Sequence, residues 1–85
     1  MNKIIIYTKD YCPFCTKAKS LLILKKIQFL EINLNQHPDK FNEMLEKSNG
    51  ARTVPQIFVG DNYIGDCDKI YQLDSENQLN KLIGI

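Results

Sequence analysis

Long apolar runs are missing from the start of this 85-residue chain. Ile4 to Ile6 gives way after three residues to Tyr7-Thr8-Lys9-Asp10, too short for a signal peptide and far short of the roughly 20 residues of a membrane helix. The mature chain is therefore expected to begin at Met1, to engage no membrane and to be cytoplasmic. An excess of one charge is missing too. Eleven Lys and Arg stand against ten Asp and Glu, a formal net charge of +1, so there is no global field to draw in nucleic acid or anionic lipid. Cysteine is scarce and odd in number. Of three, only Cys12 and Cys15 lie close together, which argues against a secreted disulfide framework and favours a redox or metal-binding pair in a reducing compartment. There is no repeat, linker or low-complexity tract.

What is present suits one α/β globular domain over residues 1–85, with 44% hydrophobic and 25% charged residues. Lys3 to Thr8 reads as a central strand, because its β-branched and aromatic run suits burial on both sheet faces. Pro13 fits the first turn of a helix running to about Lys25, with Ala18, Leu21 and Leu22 on one face and Lys25 and Lys26 near its negative end. Ile27 to Leu34 reads as a second strand, completing a βαβ unit with parallel strands. Pro38 opens a second helix with Phe41, Met44 and Leu45 on one face, stopping at Gly50. Gly60-Asp61 joins two short antiparallel strands, Gln56 to Val59 and Asn62 to Ile64. Ser75 and Gln78 match a capping box ahead of Leu79, Leu82 and Ile83. The expected order is β-α-β-α-β-β-α.

The chemistry concentrates at Cys12-Pro13-Phe14-Cys15. Two cysteines three positions apart at a strand-to-helix junction place one sulfur beside unsatisfied N–H groups and the positive end of a helix dipole, where a thiolate is stabilised. Cys12 is expected at the exposed first position, with Lys9, Lys17 and Lys19 as further sources of positive charge. Its thiolate would attack a disulfide, and Cys15, one turn further in, would resolve the mixed disulfide. The alternatives are a structural disulfide or half of a zinc site, for which only Cys67 and His37 remain as further ligands.

Two other segments bear on this site. Thr53-Val54-Pro55 contains an X-Pro bond that is either cis, freeing the backbone of Val54 to pair with an extended substrate, or an ordinary proline at the start of a strand. Gly65-Asp66-Cys67-Asp68 leads into a short helical stretch that Asp68 would cap, or at which backbone N–H groups would take a carboxylate. Cys67 reads as a small buried residue.

Tyr7-Thr8-Lys9, Cys12-Pro13-Phe14-Cys15, Thr53-Val54-Pro55-Gln56-Ile57-Phe58 and Ile64-Gly65-Asp66-Cys67-Asp68 together resemble the glutaredoxins over nearly the whole chain. The resemblance implies a thioredoxin-like fold, a four-stranded mixed sheet flanked by helices. It implies an enzyme with no bound cofactor or metal that uses glutathione as reductant. Disulfide-containing or glutathionylated proteins would be its partners, ribonucleotide reductase among the candidates at family level, and a monomer is expected.

The resemblance also assigns residues. Cys12 attacks, Cys15 resolves and Pro55 is the cis proline opposite them. In the glutathione groove Val54 pairs with the cysteinyl backbone, Cys67 and Asp68 take the γ-glutamyl end, Lys9 and Thr53 take the glycyl carboxylate near Asn42, and Phe14 forms an aromatic wall. The chain departs from the family pattern in having Phe14 for a usual Tyr, Asp66 for a frequent second glycine, Lys69 for an acidic or polar residue and the short Asn42 on the second helix. Two further readings stand beside it: a protein of this shape that keeps the CxxC chemistry but is reduced by a thioredoxin reductase, and a binding module in which two chains hold an iron-sulfur cluster through Cys12 and external glutathione.

Overall fold

Among residues 3–85, which the computed structural model describes, lie four strands and four helices. The Ile-rich run forms β1 (Ile4–Thr8), and the segment after the first helix forms β2 (Phe29–Asn33). Two short strands follow, β3 (Gln56–Val59) and β4 (Asn62–Gly65). They form one mixed sheet in the order β2-β1-β3-β4, in which β1 runs parallel to β2 and antiparallel to β3. The central place expected for β1 is borne out. Alternation along a strand sends successive side chains to opposite faces, and β1 obeys it. Ile4 and Ile6 join one apolar cluster, and Tyr7, with Ile5 packed alongside, joins the other.

The helices divide between the two faces. The first, α1 (Pro13–Leu24), has Pro13 in its first turn and buries Cys15, Ala18, Leu21 and Leu22. With α3 (Cys67–Ser75) and α4 (Leu79–Ile83) it covers the Ile4–Ile6 face. The opposite face is covered by α2 (Lys40–Lys47), whose Met44 packs with Tyr7, Leu34 and Phe58. This helix is anchored by the Tyr7 hydroxyl, which donates to Glu43 Oε2 at 2.7 Å. Burial, and then the adjoining Glu43 carboxylate, push the Tyr7 phenol well above its ordinary pKa, so it remains a donor.

The C-terminal third departs from expectation. The short helical stretch expected after Gly65-Asp66 runs on as α3 to Ser75, and the helix expected after a capping box begins only at Leu79, with Asn77 between them at a left-handed φ of 59°. Ser75 closes α3, its hydroxyl donating back to the Gln72 carbonyl at 2.7 Å, and Gln78 makes no side-chain cap. Leu79 and Ile83 are buried as expected, but Leu82 is exposed. Lys25, at the C-cap of α1, forms an ion pair with Asp74 of α3 at 2.6 Å.

Candidate active site

The end of β1 and the start of α1 bring the two cysteines to one edge of the molecule. Cys12 is the N-cap of α1 in extended conformation, and its Sγ accepts the Cys15 N–H at 3.1 Å. The Cys12 sulfur thus takes the place that a Ser or Asp oxygen takes at an ordinary helix start. The Cα atoms lie 5.2 Å apart and the sulfurs are joined as a disulfide. Cys12 is half-buried and Cys15 is buried, so an incoming disulfide meets Cys12 first.

The loop ahead of Cys12 is clasped to the end of β2. Asn33 Nδ2 donates to Asp10 Oδ1 at 2.9 Å, and the Asp10 N–H donates to Asn35 Oδ1 at 2.7 Å. This clasp supports Tyr11 at a left-handed φ of 54° with its side chain fully exposed beside Cys12. Sequence reasoning did not find it, because the three residues become neighbours only through the parallel pairing of β1 with β2.

On the other side of Cys12 the Val54-Pro55 peptide is cis, and the Val54 carbonyl oxygen lies 3.8 Å from Cys12 Sγ. Phe14, Thr53, Val54, Pro55, Cys67 and Asp68 line one recess of about 290 Å³, so six of the expected groove residues are gathered together. Lys9 is not among them. It lines a separate recess with both cysteines, and its ammonium sits 5.8 Å over the Phe41 ring, directed towards α2. Lys9 and Asp68, expected at opposite ends of one groove, thus line different recesses. Asn42 is exposed on α2.

Of the lysines expected to support a Cys12 thiolate, Lys9 and Lys19 line the recess that holds both cysteines, and Lys17 does not. Lys19 donates to Glu31 at 2.9 Å, and Lys17 lies 4.9 Å over the Tyr71 ring. Burial alone would raise the Glu31 pKa, but hydrogen bonds from Thr8 and Lys19 outweigh it and hold the carboxyl below its ordinary value. The start of α1, which Cys12 caps, adds its own positive potential there.

Helix α3 is capped by Asp66, not by Asp68. Asp66 Oδ1 accepts the Lys69 N–H at 3.0 Å, which leaves Asp68 in the first turn with its carboxylate available to the recess. The departure at Asp66 thus supplies a cap. Asp66→Ala is expected to cost about 1 kcal/mol of stability, measured by urea unfolding, and an unchanged midpoint would show that the cap contributes nothing. Cys67 is 2% exposed, and burial raises its thiol pKa, with Lys17 opposing and Asp68 and Asp66 reinforcing the shift. It is a neutral apolar filler and no second nucleophile. Among the described residues no three His, Cys, Asp or Glu gather in a metal-binding cluster.

Gln56, part of the Thr53–Phe58 motif, has no role in the family pattern. The structure buries it at 2% exposure, with Nε2 donating to the Thr53 carbonyl at 2.9 Å and to Thr53 Oγ1 at 3.3 Å, while Oε1 accepts the Tyr63 hydroxyl at 2.6 Å. The signal that could have found it is a lone amide at the head of the apolar run Gln56-Ile57-Phe58-Val59. A buried amide must be hydrogen-bonded.

The family model described as Glutaredoxin matches residues 4–64. Glutaredoxin 3 of Escherichia coli K12 is 42% identical over 83 residues, covering 98% of this chain and 99% of that protein. The solution structure of a glutaredoxin from Brucella melitensis is 41% identical with a TM-score of 0.82, covering 100% of this chain and 94% of that one. The crystal structure of a buckwheat glutaredoxin-glutathione complex superposes with a TM-score of 0.87 at 27% identity, covering 98% of this chain and 77% of that one.

Proposed function

This chain belongs to the glutaredoxin family, and on that premise we propose that it is a glutathione-dependent thiol-disulfide oxidoreductase working through Cys12 and Cys15. The observation that carries the reading is the place of the Cys12 sulfur. It accepts an N–H at the start of α1 and lies 3.8 Å from the Val54 carbonyl, beside a recess that ends at Asp68.

In the reaction, the Cys12 thiolate attacks one sulfur of a substrate disulfide and expels the other as a thiolate that takes up a proton. Where the substrate is an internal protein disulfide, Cys15 then loses its proton, attacks the Cys12 sulfur and releases the second protein thiol. Two glutathione molecules, oxidised to glutathione disulfide, return the Cys12–Cys15 disulfide to the dithiol. Where the substrate is a glutathione mixed disulfide, Cys12 keeps the glutathionyl group until a second glutathione removes it, and Cys15 is not needed.

Glutathione is a charged tripeptide, and the recess offers complementary groups. The backbone of Val54 suits its cysteinyl unit, Asp68 its ammonium group and Phe14 its apolar edge. Lys9 and Thr53 would serve the glycyl carboxylate, although Lys9 has to swing from above Phe41 to do so. The reading extends to a monomer acting on disulfide-bearing or glutathionylated proteins, ribonucleotide reductase among the candidates, in the cytoplasm where a dithiol is kept reduced.

The test is reduction of a glutathione mixed disulfide coupled to glutathione, glutathione reductase and NADPH. The wild type is expected to turn over, and Asp68→Asn to raise KM for the mixed disulfide about tenfold through loss of one charge-assisted contact. An unmoved KM would remove Asp68 from the site. A wild type inactive with glutathione but active with thioredoxin reductase would transfer the protein to that reductant.

A further inference from the structure

The amide of Gln56 has one orientation open to it. The Thr53 carbonyl can only accept, so Gln56 Nε2 must face it, and Oε1 must then take its hydrogen bond from the Tyr63 hydroxyl on β4. Burial, reinforced by the Asp66 carboxylate, raises the Tyr63 phenol above its ordinary pKa, so this donor persists through neutral and mildly alkaline pH. The Thr53 carbonyl belongs to the peptide plane whose other end is the Val54 N–H. Holding that oxygen fixes the direction in which the Val54 N–H points.

We infer that Tyr63 is a positioning residue for glutathione recognition, acting through Gln56 to aim the Val54 backbone at the substrate. The inference rests on the glutathione reading of the recess and adds a residue that touches neither substrate nor sulfur. Tyr63 reaches Gln56 across the β3–β4 hairpin while its ring leans on Phe58, with centroids 5.2 Å apart. Tyr63→Phe therefore removes the hydroxyl and keeps the packing.

The experiment compares wild type, Tyr63→Phe, Gln56→Met and the double variant in the coupled mixed-disulfide assay, alongside the rate of Cys12 alkylation. Tyr63→Phe is expected to raise KM about three- to tenfold, the span of one net hydrogen bond, with kcat and the alkylation rate unmoved. Gln56→Met is expected to raise KM at least as far, and adding Tyr63→Phe to it is expected to change nothing, since the link through Gln56 is already gone. An unmoved KM in Tyr63→Phe overturns the inference even if Gln56→Met fails to fold, as do additive effects in the double variant or a fall in kcat and alkylation together. Wild-type inactivity with glutathione defeats both this inference and the function it rests on, whereas normal wild-type turnover with an unmoved Tyr63→Phe defeats this inference alone.

Discussion

Cys12→Ser is expected to eliminate thiol transfer to every substrate, while Cys15→Ser abolishes reduction of protein disulfides and spares that of glutathione mixed disulfides. A hydroxyl in place of the Cys12 sulfur preserves the helix cap, because serine is a favoured N-cap residue able to accept the Cys15 N–H. The fold should therefore survive and the loss be chemical. Cys15 is the less accessible sulfur, at 2% exposure behind Cys12. Its duty is intramolecular attack on a mixed disulfide already formed at Cys12, a step the single-sulfur reaction omits. Serine there buries a hydroxyl and is expected to cost about 1–3 kcal/mol, so thermal stability should be measured beside activity. The decisive comparison is mass spectrometry after mixing each variant with glutathione disulfide. Cys15→Ser should accumulate one glutathionyl adduct on Cys12, and Cys12→Ser should carry none at Cys15. Persistent turnover in Cys12→Ser would reverse the assignment of the nucleophile.

The parts of this site legible in the sequence are those governed by local chemistry. Pro13 marks the start of α1, Gly60-Asp61 marks the hairpin, and the Ile4–Ile6 run announces a strand buried on both faces. With a parallel βαβ unit read beside them, they place Cys12 at the end of a central strand, while the structure decides that β3 and not β4 pairs with β1. The family pattern supplied the gathering of Phe14, Thr53, Val54, Pro55, Cys67 and Asp68, residues up to 54 positions apart that no local rule brings together.

What was misread depended on partners distant in sequence or on the reach of long side chains. Asp66 and Asp68 are equivalent as capping residues, and the choice between them is made by where β4 ends. The pairing of Ile57 with Gly65 and of Phe58 with Tyr63 leaves Ile64 as an extra residue, a bulge two positions before Asp66. Ser75 and Gln78 satisfy a capping-box pattern, yet α3 has already begun at Cys67 and carries Ser75 in its last turn. Of the lysines grouped by charge around Cys12, Lys9 and Lys19 do line its recess, whereas Lys17 has four flexible methylenes and lies over the Tyr71 ring of α3.

Gly65→Ala should disturb this region more than any other single methyl addition near the recess. Gly65 has a φ of +143°, a conformation that residues with a side chain rarely adopt. A Cβ there would lie 2.7 Å from Lys69 Cγ and 2.8 Å from Lys69 Cβ. The Cγ atom can rotate away, but the Cβ atom is fixed to the backbone of α3, so the β4–α3 junction must yield. Backbone strain and overpacking each cost about 1–3 kcal/mol, and together they are expected to lower the melting temperature by roughly 10–35 °C for a domain of this size. The yielding junction carries the Asp66 cap and, directly after it, Cys67 and Asp68 of the recess. KM for a glutathione mixed disulfide should therefore rise more than that of Asp68→Asn, while alkylation of Cys12, which does not line that recess, keeps its wild-type rate. Adding Lys69→Ala removes Cγ and leaves Cβ, so it should restore only part of the lost stability. Full restoration would show that the side-chain tip alone was in the way, and an unchanged melting temperature in Gly65→Ala itself would show that the junction tolerates a side chain at this φ.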